Sequence, residues 1–133
     1  MKDRWVDEPT APERALDLAG RACLSAMFIS GGWNAFRVPG PRAKRAEDLG
    51  IPFPVLATRL NGLTMVVSGV ALAAGVAVRP AAAALAVTLV PTTLAGHPFW
   101  KEEDPKARTQ QRTHFLKNVG MFGGLLILLS KRR

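Results

Sequence analysis

Two histidines, His97 and His114, bracket a stretch in which titratable, aromatic, cationic and amide side chains crowd together. Residues 97–118 read His97-Pro98-Phe99-Trp100, then a charged run over 101–114, then Phe115-Leu116-Lys117-Asn118. One apolar stretch ends where this segment begins and another starts inside it. The segment therefore caps two hydrophobic elements at one end, and function is expected there. Imidazoles can hold metals or haem iron and can move protons. Neither histidine has a cysteine nearby or an acid at helical spacing, so a hydrogen-bonded interfacial histidine is expected rather than a metal site. Nothing specific supports haem ligation by the pair. The apolar stretches hold no paired-carboxylate site, and the chain has no Cys-x-x-Cys and no Gly-rich phosphate loop. A noncatalytic role is therefore expected rather than that of an enzyme on its own.

The elements that must position these residues are four apolar blocks, at about 15–36, 55–78, 80–99 and 115–130. Each has roughly the ~20 residues that a helix rising ~1.5 Å per residue needs to cross a ~30 Å hydrocarbon core. Nearly all the charges lie between the blocks, whereas an amphipathic soluble helix would interleave them every three or four residues. The expected fold is all-α, an antiparallel four-helix transmembrane bundle. It comprises a polar N-terminal tail over 1–14, a membrane domain over 15–130 and a basic end over 131–133. A soluble four-helix bundle with unusually apolar helices is the alternative.

The net charge of +8 would raise nucleic acid as a partner for a soluble domain. Here the positive residues sit in connections and termini, where they suit anionic head groups, so no nucleic acid is expected. With Cys23 as the single cysteine, no intramolecular disulfide can form. The acidic segment 1–13 is not expected to be a cleavable signal, because the apolar stretch after it has spanning length. Lys and Arg outside the blocks divide almost evenly between the two sides, so orientation stays open.

Along the chain, Trp5 is either a head-group anchor or part of a loose tail. Asp17 and Arg21 lie one turn apart in the favourable order for an ion pair, and are expected to neutralise each other near the membrane face or to form an ion site. Ala22, Ala26, Ser30 and Asn34 form a stripe suited to close helix approach. A short surface helix is expected over 42–50, with Ala43, Ala46 and Leu49 on one side. Arg59 should snorkel or point into the bundle. A tight turn at Arg79-Pro80 makes the second and third blocks a hairpin. Pro91 should kink the third helix, with Thr92 and Thr93 helping to satisfy the freed backbone groups. Gly120 and Gly124 form a G-x-x-x-G pair expected to face another helix.

Four antiparallel spans bring the ends of the first and third and the starts of the second and fourth to one membrane face. That face collects Trp33, Asn34, Arg59, Asn61, His97, Phe99, Trp100, Lys117 and Asn118 as the candidate site. Lys117 is expected to find acceptors among Asn34, Asn61 and nearby carbonyls, walled from lipid by the aromatics. The cluster is either a ligand or partner site or a hydrogen-bond network that fixes the helix ends.

In order and spacing, certain motifs make the sequence similar to the DoxX family of small four-span bacterial membrane proteins. They are Ser30-Gly31, Gly50-Ile51-Pro52, Gly69 and Gly75 around Leu72, His97-Pro98-Phe99-Trp100 and Phe115-Leu116-Lys117-Asn118. The likeness covers about residues 14–129. That family is named for a small subunit of a quinone-linked sulfur-oxidising oxidoreductase, and some members are linked to oxidative-stress resistance. The resemblance implies a multi-pass protein of the bacterial cytoplasmic membrane. It would be an accessory or quinone/lipid-binding subunit, with quinone as the cofactor class and a membrane-associated redox protein as partner. A Lys often found late in the first span is Asn34 here, and an acid common in the second is Met65. A proton-linked site resting on those charges is thereby put in question. A small-molecule transporter or exporter is the alternative, although the chain lacks an inverted repeat and has few intramembrane acids.

Overall fold

The computed structural model describes residues 8–131. Its helices are α1 (Ala11–Arg37), α2 (Gly40–Asp48), α3 (Pro54–Ala74), α4 (Val78–Gly96) and α5 (Pro105–Ser130), with one 3-10 turn at Phe99–Lys101. Trp5, Arg132 and Arg133 lie outside the described residues.

Local chemistry sets the helix starts earlier than hydrophobicity alone suggests. Thr10 and Glu13 form a capping box: the Thr10 amide donates to Glu13 Oε2 at 2.7 Å, and the Glu13 amide to Thr10 Oγ1 at 3.4 Å. The helix thus begins at Ala11, inside the segment expected to be a polar tail. Asp104 caps α5 through the Ala107 amide at 2.8 Å, and Pro105 takes the first helical position. Much of the charged run 101–114 is therefore the first turns of a 26-residue helix. The hairpin between α3 and α4 turns at Gly75–Ala77, a few residues before the expected Arg79-Pro80. Gly75 there has φ +74, a left-handed conformation that suits glycine.

Among the described residues, three segments are long and apolar enough to cross a membrane: Pro54–Ala74, Val78–Lys101 and Pro105–Ser130. α1 has the length, 27 residues, but Asp17, Arg21, Asn34 and its small residues leave it less apolar. Large apolar side chains point outward along the other helices, among them Leu60, Val67, Val87, Val90, Leu116 and Ile127. The interior pairs Phe28, Leu72, Leu85 and Leu125 with the small Ala81, Ala82 and Ala86. Small residues inside and large apolar residues outside is the arrangement for a lipid solvent, where association rests on close packing.

Contacts fix the helix directions. Arg21, early in α1, reaches the carbonyls of Leu72 and Ala73 at the end of α3, while Gly32, late in α1, meets Gly62, early in α3. Asn61 bonds Thr92 late in α4; Arg79, at the start of α4, bonds the Lys131 carbonyl just past α5, and His97, just past α4, bonds Gln111 in the first half of α5. Each long helix therefore runs antiparallel to the neighbour it bonds.

The closest approach is between α1 and α3. A Cβ on Gly62 would stand 2.5 Å from the Gly32 carbonyl oxygen, and one on Gly32 would stand 2.6 Å from that of Gly62. The buried face of α1 is Ser25, Phe28, Gly32 and Ala35. The expected stripe Ala22, Ala26, Ser30 and Asn34 is exposed, because close approach was met by the glycine one face over. Of the G-x-x-x-G pair expected to face another helix, Gly124 faces α1 and Gly120 does not. Gly120 has nothing within 4 Å of a built Cβ, and Gly124 only the Leu24 side chain at 3.6 Å. α4 continues through Pro91, and the threonines bond other carbonyls than the freed Val87: Thr92 donates to Thr88 O and Thr93 to Leu89 O.

Candidate functional site

The ends of α1 and α4 and the start of α3 converge beneath α2. Ala43 and Ala46 of α2 are buried against the bundle, whereas Leu49, expected on that side, is exposed. This packing roofs a cavity of about 480 Å³. Its walls include Ala35, Ile51, Ala57, Met65, Pro91 and Ala95, and its polar groups are Arg42, Arg45, Thr58, Asn61, Thr92 and His97. The size and the few convergent polar groups in an apolar lining are those of a small-molecule pocket.

Asn61 and His97 are held by partners on neighbouring helices. Asn61 Nδ2 lies 3.1 Å from Thr92 Oγ1 and 3.6 Å from Met65 Sδ, while the Thr92 hydroxyl donates to Thr88 O at 2.8 Å. With its NH2 group so engaged, the Asn61 carbonyl oxygen is the atom left as an acceptor. His97 Nδ1 lies 2.8 Å from Gln111 Oε1. An accepting amide oxygen places the proton on Nδ1, so Nε2 of the neutral ring keeps a lone pair. The His114 ring stacks on it, with centroids 5.1 Å apart. Among the described residues no third histidine, cysteine or carboxylate joins this pair in a metal-binding group.

Arg42 donates to Asn34 Oδ1 at 2.7 Å, so Asn34 holds a cavity arginine. Among the described residues, neither Arg42 nor Arg45 forms an ion pair with a carboxylate. Lys44, on the outer side of α2, differs. It lies 3.1 Å from Asp48 and 3.3 Å from Glu47, which hold its pKa above the ordinary lysine value, Asp48 contributing most. The acids of α2 thus serve Lys44, and positive charge is left on the cavity side.

The nine residues expected to converge divide among several places. Asn61 and His97 line the cavity, and Asn34 supports it from outside through Arg42. Trp33 and Arg59 belong to an outer ladder: Arg37 lies 5.8 Å over Trp33, Trp33 stacks on Phe36 at 5.9 Å, and Arg59 lies 6.0 Å over Phe36. Phe99 and Trp100 pack edge to face with Phe115 at 5.3 and 6.0 Å, without walling the cavity. Asn118 is buried on another side of α4, donating to Thr93 Oγ1 at 3.0 Å. Lys117 is exposed and lies outside the cavity lining; of its expected acceptors, Asn34 Oδ1 holds Arg42, and Asn61 lines the cavity.

Sequence reasoning missed Arg42, Arg45, Thr92 and Gln111 as contributors. Gln111, His114 and Asn118 recur at spacings of three and four, one face of a helix, but the charged run around them hid that period.

The opposite end of the molecule is built from charge. Arg21 Nε lies 2.8 Å from Asp17, and its Nη1 donates to Leu72 O at 2.8 Å and to Ala73 O at 3.3 Å. Lys131 Nζ lies 2.8 Å from the other Asp17 oxygen, and Arg79 donates to Lys131 O. A Cβ on Gly75 would stand 2.8 Å from Arg21 Nη1, so the same glycine that turns the hairpin makes room for the guanidinium.

The family model described as DoxX matches residues 16–98. Comparison with curated proteins and with solved structures gave no match to this chain.

Proposed function

The chain belongs to the DoxX family, and from that premise we propose that this multi-pass membrane protein is a noncatalytic accessory subunit whose cavity binds the head group of a quinone. The observation that carries the proposal is the cavity under α2, apolar in its walls and rich in hydrogen-bond donors. A quinone head is a flat apolar ring with carbonyl acceptors, so Arg42, Arg45 and the Thr58 hydroxyl are suitable partners, while Asn61 Oδ1 and His97 Nε2 are placed to accept from the hydroxyls of the reduced form. Holding a quinone in this way would let the subunit present it to a redox protein at the membrane.

The same proposal takes α1 as a fourth span. α1 packs along α3 from Arg21 beside Leu72, through Ile29 beside Gly69, to Gly32 beside Gly62. If α3 crosses the bilayer, α1 must lie at the same depth, and its least apolar residues, Asp17 and Arg21, fall where α3 ends. The bacterial cytoplasmic membrane is the expected location.

Purification in mild detergent, followed by solvent extraction of the bound fraction and identification of copurifying proteins, tests this function. A quinone recovered near one per chain, together with a redox protein, is expected. A preparation that carries neither, although the membranes it came from contain quinone, would contradict it.

A further inference from the structure

α5 carries a second feature that the cavity does not use. Arg108, Arg112, Phe115, Val119 and Phe122 follow one another at spacings of four, three, four and three, and so share one helix face. The face is cationic at its start and apolar from Phe115 onward. α5 is about 39 Å long at ~1.5 Å per residue, longer than a ~30 Å hydrocarbon core, so its first turns stand among the head groups.

The neighbouring element completes the surface. Arg108 and Arg112 line a recess with Phe99 and Trp100. Below it, Phe115, Val119 and Phe122 line an apolar groove with Val90 and Leu94 of α4. Phe115 joins the two, since it touches both Phe99 and Trp100 and also lines the groove. Trp100, Val90, Leu94 and Val119 are each about half exposed, so the surface is open along its length. Among the described residues, neither arginine pairs with a carboxylate.

We propose that this α4/α5 surface is a seat for one acidic glycerophospholipid, its phosphate between Arg108 and Arg112 and an acyl chain in the groove below. Guanidinium groups suit phosphate because they offer paired donors in a planar fork. Trp100 sits where an aromatic ring is favoured, at head-group depth. A zwitterionic lipid fits the groove equally well, but its own cation opposes the two arginines. Charge complementarity therefore selects the acidic lipid.

The test is native mass spectrometry of delipidated protein in mild detergent, titrated with phosphatidylglycerol or with phosphatidylcholine of the same acyl chains. Saturable binding of one phosphatidylglycerol, at lower concentration than phosphatidylcholine, is expected. The double variant Arg108→Gln/Arg112→Gln should weaken phosphatidylglycerol binding roughly 30-fold, and Arg108→Gln alone about fivefold, each with phosphatidylcholine binding unchanged. The control Lys101→Gln/Lys106→Gln removes the same charge nearby but off this face, and should leave the affinity within about twofold. Equal binding of the two lipids, or an equal loss in the control, would overturn the site in favour of general surface attraction. Both arginines are exposed, so the variants should fold, and an unchanged melting temperature confirms that the comparison is fair.

Discussion

The two ends of the helix assembly handle charge in opposite ways. At one end, Asp17 lies between Arg21 and Lys131, and Arg21 Nη1 donates to carbonyls in the last turn of α3. That end ties α1, α3 and α5 together and leaves little spare capacity. At the other end, Arg42, Arg45 and His97 line a cavity, and the acids of α2, Glu47 and Asp48, are engaged by Lys44. A satisfied network stabilises a fold, while unmatched donors around a void suit a ligand.

Substitutions at the closed end should cost stability rather than binding. Arg21→Met would leave Asp17 with Lys131 alone and uncap α3. The Arg21 side chain is only 12% exposed, and a loss of roughly 2–3 kcal/mol is expected, the scale of losing hydrogen bonds to a charged group, read as thermal unfolding in mild detergent. A melting temperature equal to that of the parent would show that the network is ornamental.

Between the ends, Gly62→Ala puts a Cβ 2.5 Å from the Gly32 carbonyl, a rigid backbone atom that can move only if α1 does. A loss of about 1–3 kcal/mol is expected in the same assay. The motif glycine Gly120, with open space around it, should accept alanine with no measurable loss. Equal effects at the two sites would break the packing account.

At the cavity end the order reverses. Asn61→Leu should cost only about 1 kcal/mol of stability, the scale of one hydrogen bond, but lower quinone affinity by roughly tenfold if the amide touches the ligand. Comparing its melting and binding curves with those of Arg21→Met sharpens the contrast.

The smallest effect concerns Glu13, exposed at the start of α1. Its pKa is lowered by the Thr10 amide first and the Thr10 hydroxyl second. A group with a depressed folded pKa stabilises above its unfolded value and loses that contribution as pH falls through the folded one. The parent should therefore lose a little stability below about pH 4.5 that Glu13→Gln does not lose. Parallel pH profiles would mean that the capping box contributes nothing.

The helical, membrane-spanning character was legible because apolar length and charge segregation are one-dimensional properties, as in the block that became α3. The polar cluster was only partly legible. Asn61 and His97 both line the cavity, but which side of a helix a residue faces depends on helix rotation, which for α1 and α3 is set by Gly32 against Gly62. A shift of one face sends Asn118 to Thr93 and Trp33 outward. Arg42 and Arg45 were hidden for a related reason. They were assigned to a helix lying on the membrane surface, and only the burial of Ala43 and Ala46 brings that helix over the cavity.

The most direct measurement is an equilibrium titration of a short-chain benzoquinone into the purified protein in mild detergent, run on the parent, on Asn61→Leu/His97→Leu and on Lys117→Met. Saturable binding near one per chain is expected for the parent and for Lys117→Met, whose side chain lies outside the cavity. The cavity double variant should lose it while still unfolding cooperatively. Binding by the double variant as tight as by the parent, or no saturable binding by a folded parent, would contradict the cavity as the ligand site.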